Sequence, residues 1–363
     1  MAREGLKVAV VGTGRWGKNH VRVFSKLREK NLCSELIVCD VNKKVADKIS
    51  KMYNADKIYY DAEDMISKED LDCAVVSVPT LYHYEVSSLI LKKADVLVEK
   101  PLAATCKEAL DLIKISKEEG RILAVGHVER FNSAVLAVRD YLRDKVLNAN
   151  DRVVSILTQR IGPGPPGGYT LNLGVAHDLL THDIDVVVFL LERVPRKVVA
   201  RAIQENELYE SDISAIFEYE DGIIHIARAS WRSGSTFKKR MLLIQTKESI
   251  IELDYILQRY QVEKGLMQHI ALGTFQEVIQ AYRSKDIITR ELMLGAENEP
   301  LYVEDQHFLE CVKYRREPLN SAKWGYIALK CVETALLSSK TGACQEISWS
   351  SEERSLINLS KVL

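Results

Sequence analysis

Three groups of residues in this 363-residue chain have types and spacings that could do chemistry. The first is Gly12-Thr13-Gly14-Arg15-Trp16-Gly17, directly after the apolar run Leu6–Val11. Gly12 permits a tight turn, Gly14 lets the backbone approach a pyrophosphate, and Gly17 lets a following helix pack on the strand. The helix start then offers unpaired N–H groups to phosphate oxygens. Asp40 closes the next apolar run, where its carboxylate would accept hydrogen bonds from ribose hydroxyls and repel a 2′-phosphate. This favours NAD over NADP, although Lys43 and Lys44 offset part of the repulsion and leave NADP open. A glycine-rich turn with no ligand, or a methyltransferase-type loop, would carry the same glycines. The second group is His177-Asp178-Leu179-Leu180-Thr181-His182. Asp178 and His182, four apart, share one face of a helix. His182 could take the proton of an alcohol while Asp178 orients the substrate or stabilises the imidazolium. A surface hydrogen bond is the plain alternative. Metal binding fits poorly, because His177 and His182 are five apart and diverge on a helix. The third group is Glu99-Lys100-Pro101, at the end of another apolar run. Ligands in open α/β sheets sit beyond the carboxyl ends of strands, so a lysine there can reach cofactor and substrate. Pro101 restricts the lysine backbone and favours a cis peptide.

The elements that must position these groups alternate in the first third. Strands are expected at Leu6–Val11, Leu36–Cys39, Ile58–Tyr60, Cys73–Val78, Val96–Val98 and Ile122–Val125, with helical segments between them and Gly120 as a helix C-cap. Repeated βα units of this length imply a doubly wound parallel sheet. From about Arg152 the pattern changes to strands joined mostly by short turns: Val153–Thr158, Val198–Ile203, Ile213–Tyr219, Ile223–Trp231, Met241–Gln245 and Ile250–Leu253. One helix interrupts them, from about Val175 to Leu191, and carries Asp178 and His182. The expected fold is an α/β protein. A Rossmann domain, residues 1–126, precedes an α+β domain, residues 127–363, with a large and mainly antiparallel sheet for substrate binding and oligomerisation.

Glu99-Lys100-Pro101 after the fifth strand resembles the hallmark of the Gfo/Idh/MocA family of sugar and inositol dehydrogenases. The resemblance extends to Val78–His83, to Gly126–Asn132 and to Gln306–Gly342, and so covers nearly the whole chain. It implies that Lys100 lies beside the nicotinamide and the reacting hydroxyl, binding the hydroxyl and relaying its proton. It assigns substrate orientation to Asp178 and the general base to His182, through the family's Asp-x-x-x-His motif. It places Thr13, Arg15, Trp16, Ser77, Thr80, His83 and Glu99 around the cofactor with Gly12, Gly14, Asp40 and Lys100. Glu129 and Arg160 fall on the substrate side. The stretch Arg160-Ile161-Gly162-Pro163-Gly164-Pro165-Pro166 looks like that of UDP-N-acetylglucosamine 3-dehydrogenases within the family, with Arg160 able to fork onto a diphosphate. The implied activity is oxidation of a secondary sugar hydroxyl by NAD, first of all the 3-hydroxyl of UDP-N-acetylglucosamine, with inositol or a free sugar as alternative. Some members bind the dinucleotide without catalysis and act as regulators. That reading leaves Lys100, Asp178 and His182 without a task.

Composition sets the outer limits. Lys plus Arg number 50 against 51 Asp plus Glu, a net charge of −1, so no excess of positive charge points to nucleic acid or an anionic membrane. No run approaches the roughly 18 apolar residues of a membrane span. The seven cysteines are scattered without a CxxC pair, which argues for reduced thiols in the cytoplasm over disulfides or zinc. A large sheet covered on one face needs cover on the other, so a homo-oligomer is expected, and the family resemblance implies a homodimer or homotetramer.

Overall fold

A computed structural model describes residues 5–147, 151–165, 173–204, 209–234, 237–264, 276, 286–291 and 298–359. The N-terminal part alternates β1 (Leu6–Val11), α1 (Gly17–Glu29), β2 (Cys33–Cys39), α2 (Lys43–Tyr53), β3 (Lys57–Tyr59), α3 (Ala62–Lys68), β4 (Cys73–Val76), α4 (His83–Leu91), β5 (Asp95–Val98), α5 (Cys106–Glu118) and β6 (Leu123–Val125). The strands are all parallel and lie in the order β3-β2-β1-β4-β5-β6. Helices cover both faces of this sheet, so all eight residues of β4 and β5 are buried, and all are apolar except Asp95 at the start of β5. The chain reverses direction across the sheet between β1 and β4, which opens a crevice at the carboxyl ends of those strands. Local signals set the helix ends. The Asn42 side chain accepts from Val45 N at the start of α2, and Thr105 with Glu108 forms a capping box on α5. Gly120, just past α5, has φ +62, the left-handed conformation expected of it.

The rest of the chain forms α6 (Ser133–Tyr141), β7 (Val153–Ile161), α7 (Thr181–Leu191), β8 (Lys197–Gln204), β9 (Glu210–Glu218), β10 (Ile224–Ser230), β11 (Lys239–Thr246), β12 (Ser249–Asp254), β13 (Arg259–Lys264), β14 (Asp286–Glu291), α8 (Pro300–Tyr314), α9 (Ala322–Thr341), β15 (Gln345–Glu346) and α10 (Ser351–Leu356). Its nine-stranded sheet runs β14-β13-β12-β11-β7-β10-β9-β8-β15, and among the described residues only β7 and β10 pair in parallel. The inner face packs on α7 and α9. On the outer face, Val199, Ile216, Ile226, Leu157 and Leu243 are successive cross-strand neighbours, so an apolar row crosses five strands. The first four of these side chains are exposed.

Three features differ from the sequence reading. β7 runs to Ile161 instead of ending at Thr158, because ladder pairing with β11 and β10 carries it through the polar Gln159 and Arg160. The helix expected from Val175 to Leu191 opens with a π-helical turn, Ala176–Leu180, before α7 begins. α8 returns to the first sheet and packs beside α1, burying Leu301, Phe308 and Leu309 with Val8, Phe24 and Leu27.

Candidate active site

The glycine run forms the turn between β1 and α1. Gly12 has φ +83, and a Cβ there would sit 2.6 Å from the Ser77 carbonyl oxygen; a Cβ on Gly17 would sit 1.9 Å from the Gly12 carbonyl oxygen. Both positions therefore exclude any other residue. Gly14 has open space where a Cβ would be, the approach a pyrophosphate needs. α1 starts with no side-chain cap and no acidic residue in its first turn, so its dipole remains available to phosphates, although Lys18 N and Asn19 N already donate to the Gly14 and Trp16 carbonyls. Asp40 Oδ2 accepts from Thr13 N at 2.7 Å and Thr13 Oγ1 at 3.0 Å, while Oδ1 accepts from Asn42 N at 2.8 Å. The carboxylate is thereby fixed at the base of the loop, where its charge opposes a 2′-phosphate. These residues fit a dinucleotide.

A cavity of about 600 Å³ leads from this loop to the inner face of the second sheet. Arg15, Trp16, Ser77, Thr80, His83 and Glu99 line one end; Glu129, Arg160, Asp178 and His182 line the other, with Lys100 between. Lys100 stands at the carboxyl end of β5, where its peptide to Pro101 is cis. Its Nζ donates to Asp178 Oδ1 at 2.6 Å and to the Asp178 carbonyl at 2.8 Å. The Trp231 indole donates to Asp178 Oδ2 at 3.1 Å. Burial opposes ionisation of Asp178, but Lys100 and Trp231 outweigh it and hold the carboxyl below its ordinary range.

Asp178 and His182 therefore do not form the pair that their spacing suggests. Both line the cavity, but the carboxylate is engaged across the domains by Lys100, and the imidazole has no partner on Nδ1. Burial lowers the His182 pKa well below 6.5, helped by the positive charges of Lys100, Arg160 and Arg240 and by His127. The ring is neutral at pH 7 and can accept a proton.

Two further residues sit differently from expectation. His83 is buried, with Nδ1 2.8 Å from the Pro101 carbonyl and Nε2 3.0 Å from the Val78 carbonyl. Burial lowers its pKa, so the ring is neutral with a single N–H that donates to one of these carbonyls while the other nitrogen lies against the second; His83 thereby positions the two cofactor-side loops. Arg160 lies on β7, fully buried, and not in the Pro/Gly loop. Its Nε donates to Asp183 at 2.7 Å and its Nη1 to Glu129 at 2.9 Å, with the Tyr255 ring 4.5 Å from the guanidinium carbon. Of the fork expected to meet a diphosphate, only Nη2 is left without a partner. Pro166–Tyr169, the rest of that loop, lie outside the described residues.

Behind Glu99 is a buried cluster that sequence reasoning did not find. His20 of α1 places Nε2 3.0 Å from Glu99 Oε1 and Nδ1 2.8 Å from Asp305 Oδ1 of α8. Burial opposes its charge, but Asp305 and Glu99 outweigh that and hold its pKa at about 10. A Cβ on Gly126 would come within 2.9 Å of the Glu99 carboxyl carbon, so that glycine makes room for the carboxylate. Trp231, Lys238 and Arg240 also line the cavity and were missed. Arg240 had one sequence signal: it continues the inward alternation of Leu242 and Ile244. Among the described residues no group of three or more His, Cys, Asp or Glu is placed to hold a metal ion.

Residues 6–127 match the oxidoreductase family domain described as an NAD-binding Rossmann fold, and residues 170–347 match the C-terminal alpha/beta domain of the same family. The inositol 2-dehydrogenase/D-chiro-inositol 3-dehydrogenase of Halalkalibacterium halodurans is 22% identical over 357 residues, covering 94% of each chain. The fold is similar to that of levoglucosan dehydrogenase in complex with NADH and levoglucosan, with a TM-score of 0.83 and 16% identity over 95% of this chain and 100% of that one. UDP-N-acetylglucosamine 3-dehydrogenase GnnA from Acidithiobacillus ferrooxidans gives a TM-score of 0.77 at 16% identity, covering 93% and 98%. With its cofactor domain and most of its second domain matched, the chain belongs to the Gfo/Idh/MocA family of NAD-binding oxidoreductases.

Proposed function

We propose that this enzyme oxidises a secondary hydroxyl of a sugar, with the 3-hydroxyl of UDP-N-acetylglucosamine as the leading substrate. The observation that carries the reading is the 2.6 Å contact between Lys100 and Asp178, with His182 lining the same cavity. NAD held at the glycine loop supplies the acceptor for hydride from the carbinol carbon. Lys100 Nζ donates a hydrogen bond to the hydroxyl oxygen and stabilises the negative charge that develops on it. His182 accepts the hydroxyl proton on its cavity side. Asp178, pinned by Lys100 and Trp231, keeps the ammonium aimed and accepts from a neighbouring sugar hydroxyl. Inositol is the second reading, favoured by the name of the Halalkalibacterium relative.

Purified protein with NAD and a panel of UDP-sugars, free aldoses and myo-inositol tests this through NADH absorbance. Reduction by UDP-N-acetylglucosamine is the expected result. Turnover of inositol with no nucleotide sugar active would reject the leading substrate.

We assign a second copy of the chain to the apolar row on the outer sheet face, as a homodimer or homotetramer. Light scattering on a sizing column should give a mass above the 41.1 kDa of one chain. Glu at both Ile216 and Ile226 should return it to that mass, and a monomeric native protein would refute the assignment. No described helix is long and apolar enough to cross a membrane. All seven cysteines are free, which fits a reducing compartment such as the cytoplasm.

A further inference from the structure

We propose that Arg240 and Lys238 form an anion subsite on the far wall of the cavity, and that it holds the phosphoryl group of a phosphorylated sugar. The proposal rests on the reading of this cavity as the sugar site. Arg240 lies on β11 directly opposite Arg160 of β7 in the sheet register, on the inward face shared by Leu242 and Ile244. Like charges directly opposite one another on a sheet are unfavourable unless something between them is negative.

Glu129, Asp178 and Asp183 attract Arg240 from a distance, but among the described residues none of them forms an ion pair with it. Two of them line this end of the cavity, Glu129 and Asp178, and all four of their oxygens already accept. Glu129 takes Arg160 Nη1 and Asn132 Nδ2; Asp178 takes Lys100 Nζ and Trp231 Nε1. Asp183, behind Arg160, accepts from Arg160 Nε. Among the described residues neither Arg240 nor Lys238 has an ion pair, and Lys238 lies over Gly162, its Cγ 3.6 Å from where a Cβ would be. The wall thus presents a guanidinium fork and an ammonium to the cavity. Two cationic side chains without ion pairs suit phosphoryl oxygens, which a guanidinium meets two at a time. A neutral polyol would leave both charges unmatched.

Calorimetric titration of the NADH-saturated protein tests this with UDP, glucose 1-phosphate and inorganic phosphate as probes, and glucose and myo-inositol as neutral controls. The phosphorylated probes should bind and the neutral ones bind more weakly. The Arg240→Gln/Lys238→Gln double variant should weaken the phosphorylated probes by on the order of tenfold to a hundredfold. NADH affinity, read by nicotinamide fluorescence, should keep its native value and so confirm the fold. Should the double variant fail to fold, Arg240→Lys should bind UDP with intermediate loss, since it keeps charge but not the fork. UDP tighter than glucose 1-phosphate assigns a nucleoside diphosphate; the reverse assigns a sugar monophosphate. Phosphorylated probes no tighter than neutral ones, or a double variant with native affinity, overturn the subsite. Turnover of inositol without binding of any phosphorylated probe rejects the subsite and keeps the dehydrogenase. Phosphorylated probes bound and then lost in the variant, with no sugar oxidised, keep the subsite and reject the dehydrogenase.

Discussion

Lys100→Met is expected to lower kcat by on the order of a hundredfold or more while NADH still binds. The substitution removes the proposed donor to the reacting oxygen and leaves Asp178 Oδ1 without its 2.6 Å partner. A second readout separates this role from a structural one. With His182 as the proposed neutral base, kcat/KM should fall only as pH drops through its pKa. Its pKa lies well below 6.5 because burial and the facing charges of Lys100, Arg160 and Arg240, with His127, disfavour the imidazolium. The native acid limb should therefore lie below pH 6.5. Lys100 is the first of those charges, so its removal raises the His182 pKa and moves the limb toward higher pH. A variant with native kcat, or with an unmoved acid limb, would remove Lys100 from the chemistry.

Asp305→Ala should have the largest effect on stability. It strips His20 of one of two carboxylate partners in a fully buried site, and breaking such a pair costs about 3–5 kcal/mol. The pH dependence gives the sign. His20 has its pKa raised from 6.5 to about 10, so its contribution is complete below pH 6.5 and is lost as pH rises through 10. Denaturant midpoints of the native protein should fall across that window. In Asp305→Ala the fall should shrink, because less of the shift remains to be lost. Equal slopes for both proteins would show that the His20–Asp305 contact does not carry it. Since His20 also holds Glu99 beside Lys100, the variant should bind NADH more weakly than the native protein.

Local chemistry was the legible part of this molecule. Gly12, Gly14 and Gly17 do their work within six residues, and Asp40 at the next strand end meets Thr13 because adjacent parallel strands bring their carboxyl ends together. Lys100 was readable from its place at the end of β5. Partner choice was not readable, because it is decided by closure between domains and by sheet register. Asp178 and His182 have helical spacing, yet the partner of Asp178 comes from 78 residues away. Arg160 falls past the strand end expected at Thr158, because its polar neighbours look like a strand end, whereas pairing with β11 carries the strand through it and sets it opposite Arg240. His20 and Asp305 are 285 residues apart and become a pair only when α8 returns to α1.

The claim at the centre of this account is that hydride leaves a sugar carbinol carbon inside the cavity shared by Lys100, Asp178 and His182. The most direct test is a single turnover of the NAD-bound enzyme with substrate deuterated at the oxidised carbon, analysed by mass spectrometry of the nicotinamide. Native protein is expected to yield NADH carrying the deuterium, and His182→Asn bound but unreduced NAD. Unlabelled NADH, or labelled NADH formed at the native rate by His182→Asn, would contradict the claim.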